Sequence, residues 1–86
     1  MFVKNKRIGG TWEKVDEVST GETFTVQPLF SDVFYCVSAS VPDKSVTGGI
    51  IPKREQLMFT KVSGDLYLKD ADGLGHTLIN IDIVEA

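Results

Sequence analysis

His76 is the only histidine and Cys36 the only cysteine in this 86-residue chain. Nucleophilic catalysis of the Ser-His-Asp or Cys-His type would therefore have to use His76 as its base. His76 follows Gly75 at the mouth of a strand-like run, and no pattern ties Cys36 or a serine to it. It reads as a turn-edge residue, solvated or bonded to backbone. Zinc requires more Cys and His ligands than the chain owns. Asp70-Ala71-Asp72-Gly73 opens like a calcium loop, yet Leu74 and Ile81 fall where that loop needs a carboxylate and a bidentate glutamate. The segment reads as a polar hairpin turn, with a surface calcium site through Asp70, Asp72 and a carbonyl as the alternative. Neither Gly9-Gly10 nor Gly48-Gly49 is followed by Gly-Lys-Ser/Thr or by a helix start, so neither builds a phosphate cradle. These residues point to a protein that is not an enzyme and that uses no metal and no cofactor.

Binding chemistry is the remaining class. Sugar recognition needs exposed aromatic faces, and Trp12, Tyr35 and Tyr67 are the candidates for ligand stacking. Phe2, Phe24, Phe30, Phe34 and Phe59 are also present, so a small core would absorb most of the rings, leaving Trp12 partly exposed. The net charge is −3, from 9 basic and 12 acidic residues. That balance argues against specific nucleic-acid binding, which normally shows a basic surplus or stripe. Lys4, Lys6 and Arg7 form the main basic cluster, which reads either as a solubilising terminus or as an electrostatic arm for an acidic partner.

The elements that must carry these residues are strands. Val33 to Val41 and Thr77 to Ile83 alternate apolar and polar side chains with period two, and Thr23-Phe24-Thr25-Val26-Gln27 does the same. Pro28 ends that third run or puts it at an edge. The run from Val33 reads as a central strand that holds Cys36 as a small buried hydrophobe. Pro42-Asp43-Lys44-Ser45 is a turn, Ile50-Ile51 a short strand stopped by Pro52, and Thr11 to Val18 a short strand or loop. The runs Gln56 to Val62 and Leu66 to Lys69, joined by Ser63-Gly64-Asp65, read as a hairpin. Six to seven such strands fit an all-β antiparallel sandwich or a jelly-roll-like barrel. Residues 1–10 read as a flexible arm and residues 11–86 as one β-sandwich domain.

A domain this small buries only about 60–65% of its unfolded surface. One cysteine cannot make an intrachain bridge, so oligomerisation is the stabilising route left open. Ile79, Ile81 and Ile83 share one face of the last strand, so that strand is either central in its own sheet or offers a face or edge to a neighbouring subunit. The N-terminus has no continuous apolar stretch of the signal-peptide kind, and no segment is long enough to span a membrane.

The succession Thr23-Phe24-Thr25-Val26-Gln27, Tyr35-Cys36-Val37-Ser38-Ala39-Ser40 with Pro42, Gly49-Ile50-Ile51-Pro52, Phe59, Leu66-Tyr67-Leu68-Lys69 and Thr77-Leu78 resembles a loose class of small all-β virion proteins of tailed bacteriophages. In such proteins a strand ending in Gln precedes a Tyr-containing strand ending in Ser-x-x-Pro, then a Leu-Tyr-x-Lys hairpin and a terminal strand. The resemblance implies a structural role, decorating a capsid or joining virion parts, in a protein made in the host cytoplasm and carried in the virion. It also implies other virion proteins as partners of a homo-oligomer. The contacts expected are Trp12, Ile79, Ile81 and Ile83, with Lys4, Lys6 and Arg7 as the charged arm. A small carbohydrate- or ligand-binding module is the alternative.

Overall fold

The computed structural model describes residues 2–46, 48–71 and 76–84, with side chains from residue 5 onward. Eight strands follow one another: β1 Phe2–Gly9, β2 Glu13–Lys14, β3 Thr23–Pro28, β4 Val33–Ser38, β5 Gly49–Ile51, β6 Leu57–Thr60, β7 Asp65–Asp70 and β8 His76–Val84. They form two antiparallel four-stranded sheets, ordered β1-β8-β3-β6 and β2-β7-β4-β5.

The order has a simple origin. β1 pairs with β8, β2 with β7, β3 with β6 and β4 with β5, as in one long hairpin bent between its two ends. Rolling that ribbon brings β8 against β3 and β7 against β4, which closes each sheet. The result is a jelly roll, an eight-stranded antiparallel sandwich. The strand count is thus eight, not six to seven.

The eighth strand lies in the segment read as a flexible arm. β1 pairs with β8 from Phe2 opposite Asp82 to Gly9 opposite His76, with one register shift between Phe2 and Lys4. Its only large buried apolar side chain among those described is Ile8. Lys6, opposite Ile79, reaches Glu17 at 2.8 Å. An ion pair thus replaces an apolar residue on the inner face and hides the strand's alternation. The expected hairpin of the Gln56 and Leu66 runs is also corrected: β6 joins β3 in one sheet, while β7 joins β2 and β4 in the other. Ser63-Gly64 is a corner between sheets, where Gly21 N–H donates to Lys61 O at 2.6 Å and Lys61 N–H to Glu22 O at 3.0 Å.

The core lies between the sheets. Phe24 and Val26 of β3, Ile79 and Ile81 of β8 and Ile8 of β1 face Val33, Ile51, Leu66 and Leu68 from the opposite sheet. Each such side chain contributes roughly 1.5–3 kcal/mol by leaving water. Val15 and Val18 close one end. Phe59 stacks on Phe24 at 5.8 Å and meets Tyr35 edge-on at 5.4 Å, linking β6 to both sheets.

The ribbon's bends are tied by polar contacts. Ser31 Oγ donates to the buried Asp70 Oδ1 at 2.9 Å, Lys53 N–H to Asp32 Oδ1 at 2.8 Å and Ala71 N–H to Asp32 O at 3.0 Å. Pro28 needs no ladder donor, since the β3·β6 pairing stops at Val26, and its carbonyl accepts from Arg54 N–H at 2.7 Å. Asp70 is therefore occupied by the bend. Asp72, its partner in the calcium reading, lies outside the described residues with Gly73, Leu74 and Gly75.

The turn of the hairpin is the tightest part. Gly48 has φ 62°, and a Cβ there would overlap the Tyr35 carbonyl. A Cβ on Gly49 would enter the Tyr35 ring. Gly48→Ala and Gly49→Ala are each expected to lower unfolding free energy by about 2–3 kcal/mol, measured by thermal and urea denaturation. An effect below about 0.5 kcal/mol at Gly49 would contradict the close approach.

Candidate functional site

The residues expected to bind ligand are largely committed inside the molecule. Trp12, expected to be partly exposed, is buried at 8% exposure, and Tyr67 at 5%. Tyr35 points between the sheets onto Phe59. These three rings do not form a stacking surface, because each packs against the protein's own groups.

Trp12 belongs to a construction on the outer face of the β2-β7-β4-β5 sheet. Along β7, Leu66 and Leu68 fill the core while Lys69 lies on the opposite face. The Lys69 ammonium stands 4.5 Å from the Trp12 ring centre and 5.6 Å from that of Phe34. It also donates to the carbonyls of Lys44 at 3.3 Å and Val46 at 3.4 Å. Trp12 Nε1–H donates to Asp43 O at 3.2 Å. The β4–β5 connection is thus strapped back over the sheet by one cation and one indole. Within it, Ser45 N–H and Oγ donate to Asp43 Oδ1 at 2.9 and 3.0 Å. These bonds, the backbone one foremost, hold the Asp43 carboxyl below its ordinary value.

The candidate catalytic groups are apart. Cys36 is a half-buried free thiol on β4, while His76 is exposed at the start of β8 in the other sheet. No cluster of three or more His, Cys, Asp or Glu residues able to hold a metal occurs among the described residues. His76 instead borders an open depression of about 370 Å³ with Arg7, Phe30 and Leu78.

The expected contact residues divide. Ile79 and Ile81 are fully buried, and Ile83 packs partly against the same core, because β8 lies between β1 and β3. They belong to the core of the single chain rather than to a surface for a second one. Lys6 is held by Glu17, Arg7 is exposed beside the depression, and the Lys4 side chain lies outside the described residues.

Sequence reasoning missed the apolar side chains that the fold leaves exposed. Met58 is 60% exposed on β6, Val62 72% just beyond it, Val37 58% at the end of β4 and Ile50 53% on β5. Val37, Phe59, Thr60 and Lys61 also line a crevice of about 30 Å³. That volume is far below the roughly 300 Å³ of a small-molecule pocket. The signal in the sequence was the uncharged run Gln56-Leu57-Met58-Phe59-Thr60, but alternation alone does not distinguish an edge strand from a central one. Comparison with protein-family models, curated proteins and solved structures finds no match.

Lys69→Met removes the cation and both of its hydrogen bonds to the strap. It is expected to lower stability by about 1–2 kcal/mol and shift Trp12 emission to the red, read by fluorescence-monitored denaturation. Acid acts on the same strap. The folded Asp43 carboxyl is depressed relative to the unfolded chain, so its contribution is complete above about pH 4 and is lost as pH falls through the folded value. The Ser45 amide resonance should therefore shift as pH falls below about 4, and Asp43→Ala should remove that shift, which an NMR titration checks.

Proposed function

We propose that this protein is a non-enzymatic structural or accessory component of a tailed-bacteriophage virion, acting by self-association and by docking to capsid or tail proteins. One observation carries the reading: Val37, Ile50, Met58 and Val62 remain more than half exposed on a body measuring 35 × 26 × 16 Å. Trp12 and Tyr67 are buried, so these exposed side chains do not reflect a missing core, and the reading takes those at the sheet margins as contacts for another protein. The resemblance to small all-β virion proteins supports the same role. In this reading the protein is made in the host cytoplasm, and repeated weak contacts in a symmetric lattice supply avidity.

The ligand-binding alternative is favoured by a separate observation, the depression among Arg7, Phe30, His76 and Leu78. Phe30 is 61% exposed there and offers a ring beside a cation, which suits a small anionic or sugar ligand rather than the Trp12, Tyr35 and Tyr67 surface.

Light scattering across a concentration series separates the readings. The structural role predicts masses that rise in multiples of 9.5 kDa. A strict monomer up to about 1 mM, with no co-sedimentation with capsid or tail assemblies, would overturn it.

A further inference from the structure

We propose that β6 is a homodimerisation edge, two copies pairing antiparallel through residues 56–60 about a twofold axis at Met58. The two four-stranded sheets would become one sheet of eight. The inference rests on the self-association reading and assigns it a surface.

β6 ends its sheet and pairs with β3 alone. Its backbone directions follow from the corner beside it. Lys61 N–H donates to Glu22 O and Lys61 O accepts from Gly21 N–H, so Lys61 turns its peptide groups towards β3. Antiparallel ladders alternate, so Phe59 and Leu57 turn the same way, while Gln56, Met58 and Thr60 direct theirs to the open edge. Those three residues present donors and acceptors in the spacing that an antiparallel partner strand requires.

The other three edges carry the usual protections. β1 contains Lys4, Lys6 and Arg7, β2 has two residues, and β5 has three and is stopped by Pro52. β6 is also short, at four residues, but it lacks the charges of β1 and the proline stop of β5. Gln56 to Thr60 contains no charge and no proline, and Met58 is 60% exposed. An edge of this composition favours strand addition.

The second copy is favoured as occupant because the strand is complementary to itself. Centring the twofold on Met58 places Gln56 opposite Thr60 and Leu57 opposite Phe59, and sets Glu55 opposite Lys61 of the partner subunit at both ends. Opposite charges directly across a ladder stabilise the pairing, and no like charges face each other in this register. Lys61 already contacts Asp65 at 3.2 Å, so Glu55 would add a second carboxylate to that ammonium.

The test uses the full chain. Light scattering of the unaltered protein is compared with Met58→Lys, which sets two ammonium groups face to face at the axis while leaving an exposed position exposed. In a Cys36→Ser background, Met58→Cys and Thr25→Cys are treated with a short thiol-to-thiol cross-linker. Thr25 sits one strand inward, opposite Met58 on β3. The expected result is a dimer or its multiples for the unaltered chain, at least about tenfold weaker association for Met58→Lys with unchanged circular dichroism, and cross-linking at position 58 but not at 25. Self-association that survives Met58→Lys and does not cross-link at position 58 would overturn the β6 edge while leaving the structural role standing. A monomer at all concentrations would overturn the β6 edge and the self-association it rests on, and co-sedimentation with capsid or tail assemblies then decides the structural role separately.

Discussion

The fold depends on β4 and β5 being able to lie flat against each other at Tyr35. Gly48 and Gly49 leave no side chain between the strands, so the register Val33 with Ile51, Phe34 with Ile50 and Tyr35 with Gly49 can form. A single extra methyl group there would push on Tyr35, which packs between the sheets against Phe59. The connection that enters β5 through two glycines has its own turn at Asp43 and Ser45, and Lys69 and Trp12 hold that turn to the sheet beneath.

Much of this was legible in the residues. β3, β4 and β8 were visible because Phe24 and Val26, Val33, and Ile79 and Ile81 recur at period two with one face in the core. β1 was not visible, since Lys6 occupies a position on the Ile79 side and is neutralised by Glu17, a partner eleven residues away that no local pattern reveals. The Ser63-Gly64 turn was misread for a different reason. Two alternating runs joined by a tight turn usually pair with each other, whereas in a rolled ribbon the same turn carries the chain from one sheet to the other.

The surface was less legible than the core, and the reason is physical. Whether Trp12, Tyr67 or Ile81 is exposed depends on which strand lies beside it and which loop lies above it, and both are set by pairings distant in sequence. Composition pointed to stickiness, but the residues that remain available are Met58, Val62, Val37 and Ile50 rather than the isoleucines of β8. The two outer faces also differ in kind. One carries Thr23, Thr25 and Gln27 beside Thr60, with the Thr23 and Thr60 hydroxyls 2.8 Å apart, and Asp82 opposite Thr25 adds a charge to this polar surface. The other is covered by aromatic rings and a cation. Only the margins join apolar side chains to unpaired backbone.

The nesting of strand pairs sets the order in which the molecule can assemble. The innermost pair, Tyr35 with Gly49, closes a short loop, whereas Phe2 meets Asp82 only across nearly the whole chain. Closure entropy grows with the length of chain enclosed, so each inner pair that has formed shortens the effective loop of the next. The chain is therefore built to zip from its middle towards its ends, slowly for its size because most of its contacts are remote in sequence. During synthesis none of the outermost pairing can begin until the last strand has emerged, so β1 waits without its ladder while the inner pairs are already able to close.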